Sequence, residues 1–229
     1  MNHSVARALV LFDIDGTLLR RAGPHHRQAL VEAVRRVAGI ETTTDHIPVQ
    51  GMLDREILRL MLLDAGFALY QIGRMMPELV RTAQSVYVRS CPDLRKKVTC
   101  GARELLTELK RNGIPAGLVT GNLSRIGWKK MERAGLKRFF RLGAFAESAH
   151  DRADLARRAI RTARREGWIA AEGRISLIGD HENDIRAAQA NGIQSIAVAT
   201  GLSSPSALAA CSPDFLLPDL RSLELDMLL

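Results

Sequence analysis

Leu9-Val-Leu-Phe-Asp-Ile-Asp-Gly-Thr-Leu-Leu19 is a short apolar run that ends abruptly in two aspartates, Asp13 and Asp15, followed by Gly16 and Thr17. A carboxylate pair at the mouth of a buried strand is costly unless something offsets it. The usual offset is a divalent cation such as Mg²⁺, which takes hard oxygen ligands and is commonly held by a few carboxylates together with substrate phosphate oxygens. The plainer alternative is a turn that uses Asp and Gly only for their backbone preferences, and a short motif has to be judged by its surroundings. Those surroundings include a second carboxylate site, Ile175-Ser-Leu-Ile-Gly-Asp-His-Glu-Asn-Asp-Ile185, where Asp180 again follows an apolar run and Asp184 comes four residues later. Parallel strands of an open α/β sheet gather their carboxyl ends into one crevice, so Asp13 and Asp180 are placed to share one metal.

Outward from these two sites, strands and helices alternate. Ala8 to Phe12 reads as a strand covered on both faces. From about Gly23 to Arg89 the chain reads as helical with no buried strand. One helix runs over His25–Val37, with Leu30, Val31, Val34 and Val37 at spacings of three and four. A second covers about Leu53–Leu63, and a third runs over Pro77–Val88, with proline in its first turn. After Cys91-Pro92 the spacing predicts a helix over Ala102–Arg111 stopped by Asn112-Gly113, then a strand over Ala116–Val119. There follow a helix up to Gly135, a strand near Leu142–Phe145, a helix over Asp151–Arg165 and a strand over Ile175–Ile178. A helix over Ile185–Ala190, a strand over Ser195–Val198 and an edge strand at Phe215–Leu217 complete the reading. This order predicts an α/β fold built on a doubly wound, Rossmann-like parallel sheet.

Phe12-Asp-Ile-Asp-Gly-Thr-Leu18, Leu118-Val-Thr-Gly-Asn122 and Ile178-Gly-Asp-His-Glu-Asn-Asp184 resemble, in order, the first, second and fourth motifs of the haloacid dehalogenase (HAD) superfamily. The resemblance spans most of the chain and implies a core domain of residues 1–20 and 92–229 with an inserted helical cap domain of residues 21–91. The Asp-x-Asp form is similar to the phosphatases and phosphomutases, whereas the dehalogenases proper lack the second aspartate. By resemblance Asp13 is the nucleophile that forms an aspartyl-phosphate and Asp15 the general acid/base. Thr120, with Gly121 and Asn122, binds the phosphoryl group. Asp13, the main-chain carbonyl of Asp15, and Asp180 hold Mg²⁺, and Asp184 stands behind them to orient the ligands.

Two departures qualify the likeness. The third motif normally supplies a Lys, but Glu147-Ser-Ala-His-Asp-Arg-Ala-Asp-Leu-Ala156 has none. Arg152 stands in its place, a permanent cation with a fork suited to phosphate oxygens, or else one more solvated charge beside Arg157 and Arg158. In the fourth motif His181-Glu182 replaces a common Thr-Pro pair. Gln50-Gly-Met-Leu-Asp-Arg-Glu-Ile-Leu58 resembles the Gly-x-Thr-Asp loop of phosphoglycolate-type phosphatases, with Leu53 in place of Thr. Gly51, Asp54 and Arg55 are therefore substrate candidates, although Asp54 also suits the first turn of a helix. His25 and His26 open the cap hinge, and His25, twelve residues after Asp13, matches a histidine that serves sugar phosphomutases of the superfamily. A histidine near a helix start is more often simply exposed.

The expected activity is hydrolysis of a small phosphomonoester, phosphoglycolate-like or a sugar phosphate. A phosphomutase of the β-phosphoglucomutase type and a non-catalytic phosphate-binding regulator are the alternatives. The net charge of +8 is spread through amphipathic stretches and aromatics make up only 4%. That pattern argues against nucleic acid as partner and suits steering of an anionic small molecule. No segment approaches the ~18 apolar residues of a membrane span. The N-terminal apolar run is too short for a secretory signal. Three cysteines without a C-x-x-C pair suit a reducing compartment, so the expected location is cytoplasmic, as monomer or homodimer.

Overall fold

In the computed structural model, which describes residues 6–20 and 23–229, the opening apolar run forms strand β1 (Ala6–Phe12). Leu9, Val10, Leu11 and Phe12 have no exposed surface. Four consecutive buried side chains require cover on both faces, and β1 has it as an inner strand of a parallel sheet. Three helices follow, α1 (His25–Ala38), α2 (Asp54–Asp64) and α3 (Leu69–Ser90), which pack on one another. The chain then alternates: α4 (Ala102–Arg111), β2 (Ala116–Val119), α5 (Ser124–Ala134), β3 (Phe140–Ala144), α6 (Arg152–Arg165) and β4 (Ile169–Gly179). It ends in α7 (Glu182–Ala190), β5 (Gln194–Val198), α8 (Pro205–Ala210) and β6 (Phe215–Leu217).

Among the described residues the sheet has the order β3-β2-β1-β4-β5-β6, all parallel, with β6 at one edge as expected. The chain winds outward in one direction from β1 to β3 and in the other from β4 to β6. The reversal lies at β1, and a crevice at such a switch point is the ligand site of open α/β sheets. Register then fixes what meets there. Phe12 lies level with Leu118 of β2 and Ile178 of β4, so the chain runs on from one level into Asp13, Thr120 and Asp180.

The structure corrects several expected boundaries. Helix α3 begins at Leu69, well before Pro77, which lies inside it. Its start is held by the Gln71 side chain, whose Oε1 accepts from the Ala68 N–H at 2.8 Å. Pro77 withholds one hydrogen bond from the carbonyl of Gly73, and packing of Ile72, Met76, Leu79 and Ala83 carries the helix through. Strand β4 starts at Ile169 instead of Ile175, its leading end paired with Ala6 of β1, and β3 starts at Phe140. Helix α8 has no counterpart in the expected order; Ser204 caps it by accepting from the Ala207 N–H. Residues 1–5 of the expected core segment and 21–22 of the expected cap segment lie outside the described residues. All three cysteines are free. No helix of the described residues is long and apolar enough to cross a membrane.

Candidate active site

Asp13 leaves the end of β1 with its N–H bonded to the Ile178 carbonyl of β4, and the residue is only 4% exposed. One carboxylate oxygen, Oδ1, accepts from Arg152 Nη1 at 2.8 Å. Arg152 is the first residue of α6, whose N-cap Asp151 accepts from the Asp154 N–H, so the cap aims the arginine at the end of β1. The guanidinium is buried, also reaches the Val119 carbonyl, and lies 3.3 Å from Asp184 Oδ1. Burial would lower its pKa, but Asp184 and Asp13 outweigh burial and raise it, so the charge is permanent. Arg152 is therefore at the Asp13 carboxylate and not in the solvated row of Arg157 and Arg158, which pair with Asp154.

Asp180 follows β4, accepts from Thr17 Oγ1 at 2.9 Å, and sits with Asp13 and Asp184 so that one oxygen of each lies within 4.8 Å of the others. Burial and the neighbouring charges of Asp13 and Asp184 push Asp180 up to about 8. Burial also raises Asp184, to about 7, against the pull of Arg152 and with the charge of Asp13 adding to the rise. Three buried carboxylates that resist ionising together are a donor set that suits a hard divalent cation. Asp184, expected behind the ligands, belongs to this cluster; its Oδ2 also accepts from the His181 N–H. His181 Nδ1 accepts from the Asn183 N–H and caps α7.

The carboxylate of Asp15 is not in this cluster. Its Oδ2 accepts from Asn122 Nδ2 at 2.8 Å and from the ammonium of Lys130. Burial would raise its pKa, but the Lys130 ammonium foremost, with the hydrogen bonds from Lys130 and Asn122, holds it below the ordinary value. Asn122 also donates to Thr120 Oγ1 at 2.7 Å and accepts from Lys130. Thr120 is fully buried, and its hydroxyl oxygen only accepts, from the Asn122 N–H and side chain. Among the described residues the hydroxyl proton has no acceptor. Gly121 is needed for a close approach: a Cβ there would lie 2.2 Å from the Met52 carbonyl oxygen, and the Gly121 carbonyl accepts from the Asp54 N–H.

Asp13, Asp15, Thr120, Gly121, Asn122, Lys130, Arg152 and Asp180 line a cavity of about 840 Å³, together with residues of α1 and of the loop before α2. Gly51 is in its lining, at φ 65°, where a Cβ would meet the His181 ring. Asp54 is there too, but its Oδ2 is occupied by the Leu123 N–H at 2.8 Å and His26 Nε2 at 2.9 Å. Two expected residues lie elsewhere. Arg55 is exposed and reaches the Glu147 carbonyl, and of the histidine pair it is His26, not His25, that lines the cavity. Lys130 is a residue of this cavity that the sequence pattern did not single out. Its signal was an ammonium on the apolar stripe of α5, four residues from both Ile126 and Ala134, which are buried.

The family model of haloacid dehalogenase-like hydrolases matches residues 8–192. The chain belongs to this family. This HAD-like hydrolase is similar in fold to a predicted phosphatase from Clostridium acetobutylicum, at 20% identity and TM-score 0.71 over 98% of this chain and 99% of that one. A predicted phosphoglycolate phosphatase from Haemophilus somnus 129PT matches at 19% identity and TM-score 0.68, over 93% and 94% of the two chains. A β-phosphoglucomutase from Clostridium difficile matches at 18% identity and TM-score 0.69, over 97% and 95%. No curated protein sequence matches.

Proposed function

We propose that this HAD-like hydrolase is a Mg²⁺-dependent phosphatase of small phosphomonoesters, with residues 21–91 as a cap over a core of residues 1–20 and 92–229. The observation that carries the reading is the division of labour between the two aspartates: Asp13 is held by Arg152 at one oxygen only, while Asp15 is held apart by Lys130 and Asn122. Asp13 Oδ2 is the attacking atom. It forms a bond to phosphorus as the ester P–O bond breaks, and the leaving oxygen takes from Asp15 the proton that the hydrolytic water of the previous turnover left there. Water then attacks phosphorus, its proton passes to Asp15, and the bond between Asp13 and phosphorus breaks to release phosphate. Thr120 and the Arg152 guanidinium hold equatorial phosphoryl oxygens. Asp13, Asp180 and the Asp15 carbonyl would hold Mg²⁺, which when bound neutralises charge between the anionic nucleophile and the anionic ester. Arg20, Arg27, Lys96 and Lys97 line the same cavity and favour an anionic substrate.

Phosphate release from an aryl phosphate and a panel of small phosphomonoesters, with and without Mg²⁺, tests the reading in wild type beside Asp13→Asn. Mg²⁺-dependent release that vanishes in the variant supports it; release that persists overturns it. The place of His26 on the cavity wall favours one second reading, a phosphomutase that keeps water from the phosphorylated Asp13. Isomerisation of a sugar phosphate, dependent on a sugar bisphosphate and without net phosphate release, would select it. A phosphoglycolate-like or sugar-phosphate substrate, a monomeric or homodimeric state and a cytoplasmic location belong to the same proposal.

A further inference from the structure

Lys130 has no exposed surface, an unusual state for an ammonium, and its three protons have three partners: Asp15 Oδ2, Asn122 Oδ1 at 2.6 Å and His26 Nδ1 at 3.1 Å. The partners dictate direction. An ammonium only donates, so Nδ1 of His26 accepts, and Nε2 is left to donate to Asp54 Oδ2 at 2.9 Å. Asp54 in turn accepts from the Leu123 N–H, at the start of the helix that carries Lys130. The circuit therefore leaves the core at Lys130, crosses α1 at His26 and the first residue of α2 at Asp54, and returns to α5. The Tyr87 ring of α3 packs against it, with its centroid 5.6 Å from that of His26 and 5.9 Å from Lys130 Nζ.

At Asp15 both donors, Lys130 and Asn122, fall on Oδ2. Oδ1 has no partner among the described residues' hydrogen bonds, and the side chain is 39% exposed on the cavity. One oxygen is anchored and the other is presented.

We propose that Lys130 is a positioning residue: its ammonium anchors Asp15 Oδ2 so that Oδ1 faces the cavity, and His26 and Asp54 make that anchor depend on the helical layer α1–α3. The proposal rests on the phosphatase reading, in which Asp15 takes a proton from the water that hydrolyses phosphorylated Asp13. Loss of the anchor slows that second half-reaction. The first half-reaction is spared when the leaving group is an aryl oxide that departs without a proton.

The test is rapid-mixing kinetics with p-nitrophenyl phosphate for wild type, Lys130→Met and His26→Phe. Met keeps most of the length of the lysine stem, and Phe keeps the packing on Tyr87. The expected result for Lys130→Met is a burst of p-nitrophenolate stoichiometric with enzyme, then turnover slowed about 10- to 100-fold, as misplacing a catalytic group by about 1 Å does. His26→Phe shows the same burst with a turnover loss of about 3- to 10-fold. Unchanged turnover, or burst and steady-state phases slowed equally as general structural damage would do, overturns the role of Lys130. If Lys130→Met does not fold, the presence or absence of the burst in His26→Phe decides. Full activity of Asp13→Asn in the same assay instead overturns the phosphatase reading beneath it, so the two failures are distinct.

Discussion

Two buried cations stand on either side of the Asp-x-Asp pair, one for each aspartate, and they are anchored in opposite ways. Arg152 holds Asp13, and its other partners belong to the strand ends and to α7: the Val119 carbonyl and Asp184. Lys130 holds Asp15, and a further partner is His26 in the helical layer. The arginine half is therefore as rigid as the sheet, whose strands lock it in register. The lysine half is tied to the core through Asn122 and also to the helical layer through His26, so its rigidity depends on both. A nucleophile that must meet phosphorus in line profits from the first arrangement. An acid/base that must serve two successive partners profits from the second.

The severest challenge to the rigid half is Asp13→Asn. Loss of the attacking oxygen is expected to lower turnover more than about 1,000-fold, measured as phosphate release at saturating substrate. Arg152→Met comes next. On the proposed mechanism, removing the guanidinium that pairs with Asp13 is expected to cost about 100- to 1,000-fold in turnover. The variant also leaves Asp13 and Asp184 without a buried counter-charge, a loss of about 3–5 kcal/mol that a denaturant melt would read. Arg152→Lys separates charge from shape: activity equal to wild type would show that the fork contributes nothing and that the likeness between the two halves is one of charge alone.

A third test concerns the carboxylate cluster that only the rigid half contains. Asp180 at about 8 and Asp184 at about 7 lie above the ordinary carboxylate value. The folded state thus binds more protons than the unfolded one between pH about 4 and about 8. The stability these groups contribute is present below that window and is lost as pH rises through it. Metal-free protein is expected to melt several degrees lower at pH 8 than at pH 5.5, and added Mg²⁺ to reverse most of the loss at pH 8 by binding only the folded state. A melting temperature independent of pH and of Mg²⁺ would remove the cluster as a cation site.

The sequence made the rigid half legible because its residues sit where local rules look for them. Asp13, Thr120 and Asp180 each follow an apolar strand-like run, and a parallel sheet must bring such ends together. Arg152 was visible as the cation nearest the third-motif position, and its N-cap Asp151 supplied the helix start. Of the other half, Asp15 and Asn122 were legible in the motifs, but the lysine that joins them was not. Lys130 looks like one of two adjacent surface lysines unless the stripe of Ile126 and Ala134 is followed through it. Its partner His26 lies 104 positions away, Asp54 lies in a different helix again, and only tertiary packing joins them. The same cause explains the choice of His25 over His26, since neighbouring helix positions point about 100° apart and the sequence did not say which faced the crevice. Pro77 misled for a related reason. Local chemistry placed a helix start at the proline, and buried apolar contacts on both sides of it overrode that preference.

The smallest effect is expected from Asp54→Asn, and it bears most directly on how the two halves differ. The asparagine keeps a side-chain oxygen for the Leu123 N–H, so the loop before α5 stays tied, but one neutral oxygen replaces the charge that attracts His26. The loss should be about 1 kcal/mol, or about 2–4 °C in melting temperature. Turnover should fall only a few-fold, with KM little changed, because Asp54 reaches Asp15 through two intervening side chains and touches no reacting atom. Pairing the variant with Lys130→Met sharpens the measurement. If the circuit is real, the second substitution adds less than its separate cost, since the anchor that Asp54 supports has already gone. If the two costs simply add, Asp54 ties α2 to the core for stability alone. The lysine half would then be as independent of the helical layer as the arginine half.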